Sequence, residues 1–191
     1  MKFLKSVVFG LSIFALFSFH GEHIFNNPIE AFNADSFPIP PHSEKMLFYV
    51  QRTPNTNTLV YELNILPDGT LNVQEPVHIF WIRYKDKGEK EELSYLQRKY
   101  AYGLHSKIDN REKHSYKLNF VSYSKRHLYL QKSYNDKKYH IYTNIAGKWA
   151  ILQRIFINIE GGTLWVPNIK KIEMHGKDQV TGKSVSEFFQ P

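Results

Sequence analysis

The chain has 191 residues, a formal charge of +7 and no cysteine. Its length suits one domain with a short tail. The lack of cysteine excludes disulfides, thiolate catalysis, cysteine-based zinc sites and lipidation at a cysteine. The positive charges are scattered in short clusters such as 125–127 and come with no nucleic-acid-binding motif, so we expect no nucleic-acid partner.

The first twenty residues have the layout of an export signal. Lys2 and Lys5 precede an apolar run at 7–19, which is too short to span a membrane as a helix. We therefore predict a signal peptide at residues 1–20, with cleavage after Gly21 or as late as Ala34. The alternative is an uncleaved interfacial anchor, and this segment is the only membrane contact that we expect.

Residues 21–44 form the next segment and have no regular hydrophobic pattern. Their prolines break helices and strand ladders and favour an extended chain. These prolines are Pro28, Pro38, Pro40 and Pro41. We predict an extended linker or arm at 21–44, followed by a single β-rich domain at 45–191.

Strand patterns begin directly after the arm. The range 46–52 is rich in Phe, Tyr and Val, and Pro54 and its asparagine neighbours predict a turn after it. Apolar residues then alternate along a second strand at Leu59, Tyr61, Leu63 and Ile65, which is typical of one buried face. A tight turn is predicted at 67–69, and the nearly all-apolar range 77–84 predicts a strand buried on both faces.

The range 89–102 predicts the one clear helix. Acidic residues at 89–92 and basic residues at 98–99 match the helix dipole. One apolar stripe joins Leu93, Leu96, Tyr100 and Ala101. Gly103 suits the C-cap position. We expect this helix to lie against a sheet or to close the mouth of a barrel.

Alternating strand patterns return after the helix. They cover 116–123, 127–133 and 139–145, then a long strand that holds one face from Trp149 to Ile159. Gly161-Gly162 predicts a hairpin, with further strands at 163–174 and 186–189. We therefore predict a mainly β fold, an antiparallel β-barrel or sandwich of about eight or nine strands with one α-helix near 89–102.

Two stretches of the chain carry a family resemblance. The first runs Phe48-Tyr49-Val50-Gln51-Arg52, with Asn55, Asn57-Thr58 and Tyr61-Glu62 after it. The second runs Trp81-Ile82, Tyr84, Leu93, Gln97-Arg98 and Ala101-Tyr102-Gly103. Together they resemble the domain-of-unknown-function 4833 family of bacterial envelope-type proteins, from about residue 37 to the C-terminus. The resemblance implies an exported bacterial domain that is periplasmic, on the outer surface or secreted, and it supplies no activity and no residue roles.

One group of residues forms the candidate ligand-binding set. Its members are Arg52, Glu62, Trp81, Arg83, Arg98 and Arg154. We expect Arg83 to share a strand face with Trp81, and Arg154 to share one with Leu152 and Phe156. Buried charges are costly unless they are paired or used, so an inward-facing set predicts a pocket for an anionic or polar ligand. The alternative is that each charge faces solvent or forms a structural ion pair.

Motifs for metal binding and catalysis are absent from the sequence. The nine histidines lack zinc-site spacing, and no Gly-x-Ser-x-Gly nucleophile motif occurs. We therefore predict no metal site and no cofactor, and we assign no catalytic residue.

Three functions remain open. The first is a non-catalytic binding module for a small or glycan-like ligand, which a pocket with convergent polar groups favours. The second is a hydrolase acting on envelope material, which opposed pKa shifts in a cleft favour. The third is a structural or interaction protein that docks on another envelope protein, which a flat apolar patch favours. The expected partner is accordingly an unknown small ligand or an envelope protein.

Overall fold

The computed structural model describes residues 37–110, 115–163 and 166–191, and in these ranges one continuous sheet of eleven strands dominates. The signal peptide predicted at 1–20 and most of the arm predicted at 21–44 lie outside the described residues. Both stay predictions.

The sheet has two arms and a connecting part. The first arm contains β1 (Met46–Arg52), β2 (Asn55–Leu63), β3 (Val77–Arg83) and β4 (Glu89–Glu92). The second arm contains β5 (Leu104–Asn110), β6 (Ser115–Phe120), β7 (Tyr123–Lys132) and β8 (Tyr139–Ile145). The connecting strands are β9 (Lys148–Gly162), β10 (Pro167–Asp178) and β11 (Ser184–Phe189). Between the arms, α1 (Tyr95–Gln97) continues into a π-helical turn (Arg98–Tyr102), and we call 95–102 the helical segment.

Strand β9 joins the two arms. Its first residues pair antiparallel with β8, and its later residues run parallel to β1, with Ile155 opposite Val50. Ile155 also pairs with Met174 of β10, so β10 lies along the opposite edge of β9. The strand order is β4-β3-β2-β1-β9-β8-β7-β6-β5, with β10 and β11 attached to β9. Every other pairing among the described strands is antiparallel.

The two arms face each other across one hydrophobic core. Its fully buried aliphatic residues come from both arms and from β9, and they include Leu59, Leu118, Leu128, Leu130, Ile141 and Leu152. Full burial of such a side chain contributes about 1.5–3 kcal/mol each. The curled sheet is thus a half-barrel whose arms pack like the layers of a sandwich. This architecture confirms the predicted fold class.

Two strands lie where the sequence predicted none. β4 occupies the start of the predicted helix, and its four residues are all exposed and pair with β3 at the edge of the sheet. Charged side chains are common on exposed edge strands and also at helix ends. The charge pattern at 89–92 therefore did not distinguish an edge strand from the start of a helix. The helix is consequently confined to the helical segment. β5 was missed because its largely exposed residues give little hydrophobic alternation.

A β-bulge in β9 changes which residues face the core. Gly176 pairs with Leu152 and His175 pairs with Arg154, so Gln153 is the extra residue on β9. A bulge shifts the two-residue period by one. The strand predicted to hold one face from 149 to 159 therefore switches faces at Gln153.

The described end of the predicted N-terminal linker contacts the outer face of the sheet. The ring of Phe37 meets the ring of Phe156 on β9 edge-on, with centroids 5.0 Å apart. The side-chain amide of Gln51, which is 1% exposed, donates to the carbonyl of Pro38 at 2.8 Å. The chain at 37–38 therefore satisfies a buried polar group on β1.

Candidate binding site

The curled sheet leaves an open seam between its terminal strands. β4 and β5 end the strand order, and no backbone pairing joins them within the described ranges. The helical segment and the loop 64–76 between β2 and β3 fill part of the gap. Between them lies a cleft of about 190 Å³, which we call the seam cleft.

The seam cleft has an apolar floor and a polar rim. The floor includes Val77 and Ile79 of β3 and Leu118 of β6. The rim includes Gln74, Glu75, Arg98, His105 and Ser106. Cavities for drug-sized ligands have roughly 300–1,000 Å³, so the seam cleft fits one small group such as a single sugar ring.

Two asparagines hold the loop that forms one wall of the cleft. The side-chain amide of Asn64 donates to the carbonyl of Glu75 at 2.9 Å, and its backbone N–H donates to the carbonyl of Pro76 at 3.0 Å. The side-chain oxygen of Asn72 accepts from the backbone N–H groups of Gln74 and Glu75. These bonds fix the loop backbone locally, and with it the position of Glu75.

The other wall is the helical segment, whose two ends are well defined. Ser94 and Gln97 form a capping box, in which the Ser94 hydroxyl accepts from the Gln97 N–H and the Gln97 side chain accepts from the Ser94 N–H. At the C-terminal end, a Cβ atom on Gly103 would lie 2.0 Å from the Arg98 carbonyl oxygen. Only glycine allows this close approach, which sets the backbone position of Arg98.

Arg98 is the cation on the rim of the cleft. Its Nη1 donates to Glu75 at 2.5 Å, and its Nη2 lies 3.7 Å from Glu92. A guanidinium has five N–H donors, so these two carboxylates leave donors for a ligand. The negative partners also balance the charge of Arg98, which makes the rim polar rather than strongly cationic.

A shallow groove continues from the cleft along β5. It runs between Val73 and Gln74 on one side and residues 106–109 on the other. Val73 is 56% exposed and Ile108 is 41% exposed, although Ile108 belongs to the inner face of the sheet. The sheet therefore extends past its core at this edge and leaves apolar side chains next to the cleft.

Two residues of the predicted set come together elsewhere. Arg52 and Trp81 share the inner face, and the guanidinium carbon of Arg52 lies 5.6 Å from the centroid of the Trp81 ring. The ring of Tyr102, from the helical segment, lies 5.8 Å from the same carbon. Arg98 is the only member of the predicted set that lines the seam cleft.

The other three predicted residues lie apart from both places. Glu62 is on the outer face, where its carboxylate is 3.3 Å from His78 Nδ1. Arg83 shares the strand face of Trp81 as predicted, and it pairs with Asp86 at 3.1 Å and with Glu91.

Arg154 requires a correction. It shares the outer face with Phe156, its guanidinium 5.3 Å from that ring, whereas Leu152 is buried in the core. The bulge at Gln153 separates them, so the predicted face of Arg154 was right for Phe156 and wrong for Leu152.

Several residues that line these places, or that form a long-range ion pair, were not predicted from the sequence. Tyr102 reaches Arg52 through a π-helical turn that no periodicity indicates. His105 and Ser106 lie on the unpredicted strand β5. Arg126 and Glu187, which are 61 residues apart, form an ion pair that no local pattern reveals.

Carboxyl groups with a lowered pKa lie outside the seam cleft. A hydrogen bond from His175, together with Lys171, lowers the pKa of Glu173 to about 2 on the outer face of β10. The remaining lowered values belong to Glu44, Asp68, Asp136 and Asp178, all in surface turns or at strand ends. These shifts follow from local hydrogen bonds and ion pairs, so they indicate structural roles.

The described residues contain no group of three or more His, Asp or Glu side chains arranged to hold a metal ion. Among the same residues, no helix has the length and apolar character needed to cross a membrane.

Comparison with known proteins yields one match. A family model described as a domain of unknown function, DUF4833, matches residues 48–187, which confirms the resemblance seen in the sequence. No curated protein and no solved structure matches the chain.

Proposed function

We propose, from the premise that this chain belongs to the DUF4833 family, that it is an exported, non-catalytic binding module whose seam cleft takes a small or glycan-like ligand. The family assigns no activity, so the proposal is built from the site. The observation that carries it is the combination of an apolar floor with a polar rim, at a gap where the sheet does not close.

The chemistry of the cleft suits a neutral polar ligand. A sugar ring has apolar C–H faces and hydroxyl groups around its edge. The apolar lining, in which Leu104 is half-buried and Val77 and Ile79 are almost fully buried, suits the ring face, and the rim supplies both donors and acceptors. Because Glu75 balances the charge of Arg98, hydrogen bonds rather than net charge would select the ligand.

The leader pattern supports an envelope or secreted location. Lys2 and Lys5 before an apolar run are typical of an export signal. A partner in that location would be an envelope component, either a small glycan-like molecule or a protein that carries one.

A hydrolase, the second candidate, gains no support from the geometry. Acid–base catalysis by carboxyls needs two groups whose environments push their pKa values apart in one cleft. The shifted carboxyls of the described residues are all lowered, and none lines the seam cleft.

Native and denaturing mass spectrometry on the protein purified from its own host tests the proposal. We expect a reproducible extra mass under native conditions that disappears on denaturation. Arg98→Met removes the rim donors and is expected to abolish the extra mass.

Arg83→Met provides a matched control. Its side chain is 35% exposed, like that of Arg98, and it also pairs with two carboxylates, but it does not line the cleft. The control should keep the extra mass. A wild-type protein that carries no extra mass, or equal losses in the two variants, would contradict binding in the seam cleft.

A further inference from the structure

A second site lies where Arg52 and Trp81 meet at one end of the core. Arg52 is the last residue of β1 and Trp81 lies on β3, two strands away, with both side chains on the inner face. Neither residue lines the seam cleft, so this site is independent of the proposed function above.

Tyr102 covers this pair from the helical segment. Its ring meets the Trp81 ring edge-on, with centroids 5.2 Å apart, and lies 5.8 Å from the Arg52 guanidinium carbon. The hydroxyl of the buried Tyr61 donates to the Tyr102 carbonyl at 2.9 Å, which fixes this end of the segment on the sheet. The guanidinium therefore lies against two aromatic rings that pack edge-on against each other.

Two buried N–H donors in this site have no acceptor. Arg52 Nε and Trp81 Nε1 are both inaccessible to solvent, and neither has a hydrogen-bond partner among the described residues. A buried donor without an acceptor costs about 1–3 kcal/mol, and more for a charged group. Two such donors in one cluster indicate a place where an acceptor belongs.

The charge of Arg52 is also unbalanced. Arg83, Arg98 and Arg126 each lie within 4.0 Å of a carboxylate. In the described part of the chain, Arg52 has no such ion pair, and its guanidinium lies against two aromatic rings. A half-buried cation that has one free donor of its own and a second free donor on the neighbouring Trp81 favours a negatively charged acceptor.

We propose that the Arg52–Trp81–Tyr102 cluster is a binding site for an oxyanion, a carboxylate or phosphate group of a ligand. One oxygen would accept from Arg52 Nε and another from Trp81 Nε1, and the guanidinium would balance the charge. Arg52 is half-buried rather than buried, so part of this residue stays in contact with solvent.

Proton–nitrogen correlation NMR tests the site directly, because it resolves arginine Nε–H and tryptophan indole N–H groups. The chain has three tryptophans, and Trp81→Phe assigns the Trp81 indole signal by its loss. The ¹⁵N-labelled wild-type protein is titrated separately with acetate and with inorganic phosphate, at constant ionic strength set by sodium chloride. We expect the Arg52 Nε–H and Trp81 indole signals to move downfield together and to saturate in at least one of the two titrations.

Variants separate the site from a general salt effect. Arg52→Met should weaken anion binding by at least about tenfold, read from the Trp81 indole signal, because it removes a charge-assisted donor. Arg83→Met should leave the titration unchanged, since Arg83 already pairs with Asp86 and Glu91.

The acetate titration and the phosphate titration together assign the ligand class. Saturation by acetate alone indicates a carboxylate, and saturation by phosphate alone indicates a phosphate group. If neither signal moves in the wild type with either anion, or if the Trp81 indole signal moves without saturating in the wild type and in Arg52→Met alike, the oxyanion site is overturned.

Discussion

Arg52 and Arg126 are two arginines on the inner face of the sheet, one in each arm, and they differ in how their charge is satisfied. Each guanidinium lies near an aromatic ring, Arg52 at 5.6 Å from Trp81 and Arg126 at 5.1 Å from Phe189. Arg126 pairs with Glu187 and donates to the carbonyl of Asn144 at 2.7 Å. Arg52 has no carboxylate partner among the described residues and keeps a buried donor free.

The difference separates a structural arginine from the arginine that we propose binds an oxyanion. Glu187 accepts from Arg126 on β7 and also from the backbone N–H of Ala146 in the turn between β8 and β9. It thereby ties β11 to the second arm. Arg52 forms no ion pair between elements, and its Nε–H has no acceptor among the described residues. The first and last of the three predictions below test this contrast, and the second concerns another paired carboxylate; they run from the largest expected effect to the smallest.

Replacing Glu187 should cause the largest loss of stability. The Arg126 and Glu187 side chains are 22% and 18% exposed, so Glu187→Gln leaves a mostly buried guanidinium without its counter-charge. We expect the free energy of unfolding, measured by urea denaturation, to fall by about 2–4 kcal/mol.

Glu44→Gln is the control for this measurement. Glu44 pairs with Lys138 at 2.5 Å, but their side chains are 72% and 56% exposed. Exposed pairs contribute roughly 0–1 kcal/mol. Similar losses in Glu187→Gln and Glu44→Gln would show that the Arg126–Glu187 pair is not a structural link.

Acid should remove the contribution of a paired carboxylate on the outer face. His175 and Lys171 lower the pKa of Glu173 to about 2 from an ordinary value of 4.5. A lowered folded-state pKa contributes stability that is fully present above the unfolded pKa and is lost as the pH falls through the folded pKa. We therefore expect Glu173 to contribute about 1–3 kcal/mol at neutral pH, lost between about pH 4.5 and pH 2.

Urea denaturation of the wild type and of Glu173→Gln across that pH range separates the contribution of Glu173 to the unfolding free energy from the contributions of other carboxyl groups. The difference between the two proteins should shrink as the pH falls. A difference that stays constant with pH would mean that Glu173 acts through packing or neutral hydrogen bonds rather than through its charge.

Replacing Arg52 should have the smallest effect on stability. Arg52→Met loses its cation–π contacts, about 0.5–2 kcal/mol, but it also relieves an unbalanced charge and a buried free donor. We expect the unfolding free energy in chloride buffer to change by less than about 1 kcal/mol, whereas Arg126→Met should lose clearly more. A large loss in Arg52→Met would place Arg52 among the structural arginines and end the contrast.

Much of the fold follows from local sequence patterns. The strands at 46–52 and 139–145 match their predicted ranges, and the strand at 77–83 ends one residue before its predicted end, because apolar alternation and turn residues define them. β4 and β5 were missed because exposed edge strands need no apolar pattern. The bulge at Gln153 was missed because it depends on Gly176 in the neighbouring strand.

The site follows from the sequence only in part. The two-residue period correctly placed Trp81 and Arg83 on one strand face, and the dense aromatic surroundings marked Arg52 as a candidate. Which charges meet depends on pairing between distant strands and on the π-helical turn that delivers Tyr102. The acidic partners of Arg98 and Arg126 come from other elements, so their neutralisation could not be read from local sequence.

The parallel pairing of β1 with β9 also sets an order for folding. Tyr49 meets Arg154, about a hundred residues later in the chain. Synthesis at about 5–20 residues per second leaves β1 without this neighbour for about 5–20 s. Hairpins such as β1–β2 and β6–β7 involve only local contacts and can form early, whereas the core between the arms must wait for β9. The core between the two arms can therefore be completed only after β9, which lies in the last quarter of the chain, has been synthesised.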